Sequence, residues 1–475
     1  MGFPFPNVSP DVLSISELEH SVCRAYRLGL KWRCRDTRPY AMLTLSSIYS
    51  APISDVRFVP GHQDKWLVTV SKSIWSVLAI WDIRPRFSNV GSGRKVPQRK
   101  CGEWSPKGAV IKGFCLNSDP HSEVTLAVAC LHDDKETVYV ISVKEQENGI
   151  VTFTTITSAY THFKPMTLQG DVLALGDDFN QTAVWNWKTN EYATLQGGHN
   201  EGDSWQHNAI TQILFAHDSV FVARDRSINL FPYPSLQVTS RNSTPYSPIA
   251  QHSFGWIDGI TATLVAPNPG PGKAEQSISI LSREKNIDPW HSDRHSIEHY
   301  ALFRSPLYSP PHSPAHIQTN LPYPRSPRYV PYIFPPFRTS HIPSLLGSLR
   351  GSLRCTTIAL GRHGTAVWIS PQDRAAGGLY FSEDHLPLQV VPYAEQLNES
   401  LSCAVFWGGM MNDIGDSSGV DWEQSHAGAQ RGDEVIEKWT VCMNDKNDWT
   451  ALDYDEDTGR IALGSGRGDV IILFL

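Results

Sequence analysis

The stretch that decides the fold is the last one, WTALDYDEDTGRIALGSGRGDVIILFL, running from Trp449 to Leu475. It reads as a strand, an Asp/Gly turn, a small-residue strand, a Gly turn and an apolar strand. Related phrases stand upstream: ISDVRFVPGHQDKWLVTVSKSIWSVLAIWDI from Ile53, GDVLALGDDFNQTAVWNWKTNEY from Gly170, and TTIALGRHGTAVWI from Thr356. Each sets short runs of β-branched and aromatic residues between Gly, Asn and Asp, which is the chemistry of hairpins. A unit that returns at roughly 40–45 residues and closes on a Trp-Asp-like pair predicts propeller blades.

At 475 residues the chain exceeds what one ordinary core holds. A radial repeat escapes that limit, because each blade buries its faces on its neighbours. The composition supplies the material, with 40% hydrophobic residues, 15 Trp and only 19% charged residues. Marking the blades along the chain gives 53–83, then about 109–143 with 151–157 beyond it, then 164–196 and 209–231. A fifth begins at Ile260 and is interrupted; it continues at Ser277 and Ser296. A sixth holds 355–369 and takes LYFS and PLQVVPY as its outer runs, and 449–475 is the last. The expected fold is therefore all-β, a WD-repeat-like propeller of six or seven four-stranded blades, with seven preferred. An open ring would expose unpaired strand edges, so residues 40–47 are expected to complete the C-terminal blade.

The segment 11–31 is the best helical one. Leu13, Leu18, Val22, Tyr26 and Leu30 fall near a 3.6-residue period, and Ser14 with Glu17 makes a capping box. The expected organisation is an N-terminal extension with one helix over 1–38 and a propeller over 39–475, carrying a Pro/Arg/Tyr-rich insertion at about 304–343.

The phrases ISELEH from Ile15, SLRGSLRCTTIALGRHGTAVWI from Ser348 and NDWTALDYDEDTGRIALGSGRGDVIIL from Asn447 resemble F-box-associated, WD-like propeller proteins of mushroom-forming fungi. The resemblance spans the chain from Ile15 to its end. It implies a propeller that selects substrates for an SCF-type ubiquitin ligase, tied through an F-box to a Skp-type adaptor. The chain departs from that family in showing no F-box helical pattern ahead of ISELEH. The adaptor is expected as a partner only if an F-box lies upstream. The blades also depart from strict WD repeats, since their Gly-His and Trp-Asp elements rarely fall in one blade. Hydrophobic packing is expected to carry the sheets.

The chain's charge of −7 argues against a nucleic-acid binder, which would have to neutralise phosphates. Eight scattered cysteines without a Cys-x-x-Cys pair read as reduced thiols. No signal peptide or membrane span is visible, so an intracellular protein, in cytoplasm or nucleus, is expected; it is expected to be a monomer. No nucleophile elbow, zinc-protease helix motif or phosphate loop occurs, and neither a cofactor nor a metal is expected. LGSGRGDV runs into a strand and reads as a hairpin turn. His291, His295 and His299 share a spacing that would suit a metal on a helix, yet they lead into a strand. Asp133-Asp134, Asp177-Asp178 and Asp453/Asp455 read as turn residues. Trp81 and Asp82 read as blade packing and a turn brace.

The segment 304–343 holds eleven of the 33 prolines, and no acidic residue lies between Glu298 and Asp373. Its arginines and tyrosines suit a docking surface, with Tyr308, Arg325, Arg328, Tyr329 and Arg338 as the candidate partner-binding residues. The opposing reading is an insertion whose second half, YVPYIFPPF, packs along a blade edge. The function expected is a non-catalytic protein-interaction module: substrate recognition for a ligase, or a ligase-independent scaffold. The third alternative is a propeller hydrolase, which would need carboxylates converging in the central channel.

Overall fold

The computed structural model of the protein describes residues 14–46, 50–61, 65–84, 99–197, 208–238, 244–254, 257–266, 276–284, 296–309, 330–343, 349–350, 355–370, 373–374, 398–406 and 434–475. Within them, seven antiparallel sheets of four consecutively paired strands form a circle. Blade 1 is Ile53–Phe58, Trp66–Lys72, Ser76–Asp82 and Arg99–Trp104. Blade 2 is Val110–Leu116, Leu126–His132, Lys135–Glu145 and Val151–Tyr160. Blade 3 is Lys164–Gln169, Val172–Gly176, Gln181–Asn186 and Glu191–Gln196. Blade 4 is Ile210–Ala216, Ser219–Arg224, Ser227–Pro232 and Ala250–Ser253.

Blade 5 is Ile257–Leu264, Ile278–Glu284, Ile297–Leu302 and Phe337–Ile342, with Glu434–Val435 added in parallel at its edge. Blade 6 is Ile358–Leu360, Thr365–Ser370, Glu399–Val405 and Trp439–Asn444. Its outer strands therefore lie further along the chain than the sequence suggested. LYFS and PLQVVPY fall outside the described residues.

Blade 7 joins the two ends of the chain. Trp449–Asp455, Arg460–Ser465 and Asp469–Phe474 pair in order, and Ala41–Ser46 is the fourth strand. Its register runs from Ala41 opposite Phe474 to Ser46 opposite Asp469. The edge that an open ring would expose is thus paired, as expected. Gly468, with φ of 89°, makes the hairpin of LGSGRGDV.

Middle strands such as Trp66–Lys72 and Ser219–Arg224 are buried almost throughout, because both their faces meet a neighbouring blade. Trp81 shares a buried cluster with Ala462, Ile472 and Phe474 of blade 7, and its Nε1 donates to Thr69 Oγ1 at 2.9 Å. Asp82 accepts from the Arg84 amide at 3.1 Å, the turn brace expected of it.

Hydrophobic packing is not the whole account, because polar contacts fasten every seam. The Ile111 amide donates to Ser76 Oγ (3.0 Å) between blades 1 and 2, and Asn117 Nδ2 to the Gly170 carbonyl (3.0 Å) between 2 and 3. Thr167 Oγ1 donates to the Ile213 carbonyl (2.5 Å) between 3 and 4. Gln212 exchanges two hydrogen bonds with the Ala262 backbone between 4 and 5. Arg283 donates to the Thr356 carbonyl (3.1 Å) between 5 and 6, and Glu456 accepts from His363 and Thr365 between 6 and 7. At the closure, Asp453 Oδ2 accepts from the Phe58 amide (2.7 Å) and Thr450 Oγ1 donates to the Ile53 carbonyl (2.5 Å). Such directional bonds fix blade register where apolar contact alone would permit sliding.

Helix α1, Ile15–Arg33, carries the expected capping box: the Ser14 amide donates to Glu17 and the Glu17 amide to Ser14 Oγ. Its buried side is not the predicted stripe. Ala25, Leu28, Gly29 and Trp32 face the propeller, whereas Val22, Tyr26 and Leu30 are exposed. Leu28 and Trp32 join the core shared by blades 6 and 7. Leu28 sits where a side chain on Gly459 would be, and Trp32 meets Trp439 and Tyr454 edge-on at 5.9 and 6.0 Å.

Candidate interaction surface

Every innermost strand of the wheel begins at one face, here the entry face, and ends at the other, the exit face. The entry face is built from links into each blade and from turns between second and third strands.

Over blades 1 to 3 these turns form a continuous band. The turn holding Ile74 and Trp75 is tied to the next link, since the Ser76 amide donates to the Ala109 carbonyl (3.0 Å) and Ser105 Oγ to the Ser76 carbonyl (2.9 Å). Gly108 in that link lies against His132, so blade 2's hairpin follows directly. In that hairpin Asp133 and Asp134 both hold positive φ (48° and 58°), the turn role expected of them. The Thr161 amide donates to the Glu136 carbonyl (3.1 Å), bringing Tyr160 alongside. Lys164 then grips both oxygens of Asp178 (2.6 and 2.7 Å). Asp177 Oδ1 accepts from the amides of Phe179 (3.1 Å) and Gln181 (2.8 Å), fixing the turn that displays Phe179.

Four large apolar side chains project from this band: Ile74, Trp75, Tyr160 and Phe179, from 43% exposed at Trp75 to 86% at Ile74. Charged residues of both signs, Lys107, Asp133, Asp134 and Lys135, stand among them and are exposed. Solvated apolar anchors on rigid turns with a polar rim are the makings of a protein-binding site.

Beneath Phe179 lies Arg224, 1% exposed. It donates to the carbonyls of Asp177 (3.2 Å), Asn208 (3.0 Å) and Gln181 (2.8 Å) and to Thr182 Oγ1 (3.2 Å), with Asp177 Oδ1 at 3.5 Å. Burial pulls the guanidinium pKa down, and the Asp177 carboxylate opposes that pull.

The exit face is organised around Glu456. Its carboxyl accepts from the amides of His363 (2.9 Å) and Thr365 (3.2 Å) and from Thr365 Oγ1, in the space that Gly361 leaves by lacking a side chain. Burial pushes the Glu456 pKa up to about 7 and the His363 pKa down to about 4. Because the folded pKa of Glu456 exceeds its unfolded one, its contribution is complete below the ordinary carboxyl range. That contribution is lost as pH rises through about 7. Glu456→Gln should therefore gain stability relative to the native chain between pH 5 and pH 8, by an amount on the order of 1–3 kcal/mol. Parallel thermal unfolding at the two pH values checks it; a pH-independent difference would refute the assignment.

Of the candidate residues read from the sequence, Tyr308 lies on the exit side, its hydroxyl 3.5 Å from Asp218, with burial and that carboxylate pushing its pKa up to about 12. Arg338 pairs with Glu298 at 2.9 Å on the neighbouring strand of blade 5. Arg325, Arg328 and Tyr329 lie outside the described residues. The second half of the insertion packs as the opposing reading expected: Tyr332 is buried against blades 4 and 5, and Phe337–Ile342 is blade 5's outer strand.

His299 is a core histidine, 2.6 Å from Ser279 Oγ and stacked on Phe406; His291 and His295 lie outside the described residues. Among the described residues no three His, Cys, Asp or Glu side chains are grouped to hold a metal. No helix among them is long and apolar enough to cross a membrane. On the described inner strands with described side chains, carboxylates stand only in blades 1 and 7, as Asp55, Asp453 and Asp455. Asp455 and Asp453 are both strand residues, not the turn residues expected, Asp455 closing the strand and Asp453 lying within it. Asp453 is held by Arg57 and the Phe58 amide, while Asp455 is held by Thr458 and Arg460.

No protein-family model matches the chain, and no curated protein does. Solved structures of similar shape include the WD40 domain of Neurospora crassa Pan2, at 8% identity and a TM-score of 0.43, covering 92% of this chain and 95% of that one. The Cps50 (Swd1) β-propeller domain of Myceliophteria thermophila is 10% identical with a TM-score of 0.46, covering 91% and 99%. A chain of a humanized mutant of Chaetomium thermophilum Polycomb Repressive Complex 2 is 12% identical with a TM-score of 0.48, covering 92% and 97%.

Proposed function

We propose that this propeller is a protein-interaction module whose partner docks on the entry face over blades 1 to 3. The observation that carries this reading is the set of four exposed anchors, Ile74, Trp75, Tyr160 and Phe179, on turns tied in sequence by the Ser76–Ala109 and Thr161–Glu136 backbone bonds, the approach of Gly108 to His132 and the Lys164–Asp178 ion pair. Trp75, 43% exposed in a tight turn, leaves apolar surface in water that a partner would cover. Where such a residue is a hot spot of a desolvated interface, its truncation costs about 2 kcal/mol or more. The mechanism is burial of these anchors against an apolar or aromatic segment of the partner, with Lys107, Asp133, Asp134 and Lys135 setting its orientation.

The test is quantitative recovery of partners by the native chain and by Trp75→Ala/Tyr160→Ala/Phe179→Ala, positions outside the core. A docking site there predicts a loss of at least ~100-fold in affinity for the main partner. Equal recovery by both proteins would overturn it. A finer reading, substrate recognition for an SCF-type ubiquitin ligase, rests on the resemblance of the phrases from Ile15, Ser348 and Asn447. Recovery of a Skp-type adaptor and a cullin in the same experiment would support that role, and their absence would favour a ligase-independent scaffold.

A further inference from the structure

Helix α1 carries two apolar sides where a surface helix ordinarily carries one. The first, Ala25, Leu28, Gly29 and Trp32, is spent on the propeller. The second consists of Ile15, Val22, Tyr26 and Leu30, all between 36% and 87% exposed. Their spacings of seven, four and four residues keep them on one side of the helix. Four of the large exposed apolar side chains of the described residues thus share one helix.

The charges of α1 are segregated along its length. Glu19 borders the second side near its start and Arg27 and Arg33 border it further on, while Glu17, Arg24 and Lys31 lie on the far side of the helix, where Arg24 donates to the Thr458 carbonyl at 3.1 Å. A parallel neighbour of the same sequence would set like charges side by side. An antiparallel one sets Glu19 of each helix beside Arg27 of the other. In that arrangement Ile15 of one helix meets Leu30 of the other, and Val22 and Cys23 lie at the midpoint.

We propose that the occupant of this second side is another copy of the chain, joined by an antiparallel, two-fold symmetric α1–α1 contact. The contact is isologous: one self-complementary patch serves both subunits and closes the assembly at two. A helix of 19 residues spans about 28 Å, and one such helix pair buries less than the roughly 1,200 Å² of a stable interface. The dimer is therefore weak, and its population depends on protein concentration. The contact makes a two-headed binder, with one entry face on each subunit.

Cys23, exposed and near the symmetry axis, is a native reporter of the contact. Sedimentation of the full chain from about 1 to 100 µM should show the mass rise from 53.0 kDa towards twice that value. In a Cys34→Ser background, mild oxidation should link Cys23 to Cys23 between chains. Val22→Glu/Leu30→Glu, at exposed positions, should leave the thermal unfolding curve in place, weaken dimerisation at least ~10-fold and abolish the cross-link. A single-chain mass at 100 µM would overturn the proposal, as would a dimer indifferent to Val22→Glu/Leu30→Glu. Protection of the α1 stripe from labelling at 1 µM would also overturn it, since another segment of the same chain would then be the occupant.

Discussion

Replacing Arg224 by alanine is expected to destabilise the protein by about 3–5 kcal/mol, the cost of removing one partner from a buried ion pair. The guanidinium reaches from the end of blade 4's second strand into the turn of blade 3. There it serves three backbone carbonyls and a threonine hydroxyl beside a buried carboxylate. Alanine would leave Asp177 charged without its counter-ion and strip the Asp177 and Gln181 carbonyls of a donor. Arg224→Met fills the volume but not the bonding, so it should recover only the packing part. Denaturant midpoints for the three proteins give the comparison. A loss below 1 kcal/mol for Arg224→Ala would show that water replaces the guanidinium freely. Because Asp177 also orders the amide of Phe179, partner affinity should fall alongside stability.

Much of the fold was legible because hairpin chemistry is local. The runs at Ile53, Gly170 and Trp449 each contain strand, turn and strand within about 30 residues, and the coordinates follow them closely. Closure by residues 40–47 was legible from a different rule, that a propeller does not leave an edge unpaired. Blade 6 failed where locality fails. Its third and fourth strands, Glu399–Val405 and Trp439–Asn444, stand beyond long insertions, and LYFS and PLQVVPY offered nearer strand-like runs. The helix failed for a related reason. Its apolar stripe was visible in the sequence, but periodicity cannot tell which of two apolar sides the propeller takes.

The candidate surface was less legible. Arginine, proline and tyrosine content singles out 304–343, whose described ends pair Arg338 with Glu298 and bury Tyr332, while Arg325, Arg328 and Tyr329 lie outside the described residues. Two of the anchors on the entry face do carry a sequence signal. In the phrase SKSIWSV, Ile74 and Trp75 stand inside a tight turn, where polar residues are expected. Tyr160 and Phe179 had none, because only the circular arrangement brings three separate turns into one band.

Both faces depend on a ring held shut by strands from opposite ends of the chain, and that closure can be measured directly. Ser46 Oγ donates to Asp469 Oδ1 at 2.9 Å across the closing pair, so cysteines at these two positions meet without disturbing the core. In a Cys23→Ser/Cys34→Ser background, Ser46→Cys/Asp469→Cys should oxidise spontaneously, and peptide mapping should find residues 46 and 469 linked. Because the loop so closed exceeds 100 residues, the oxidised protein should gain about 4 kcal/mol or more over its reduced form, less any strain. Failure of the two cysteines to join in the folded protein, with both remaining open to alkylation, would contradict the closed ring.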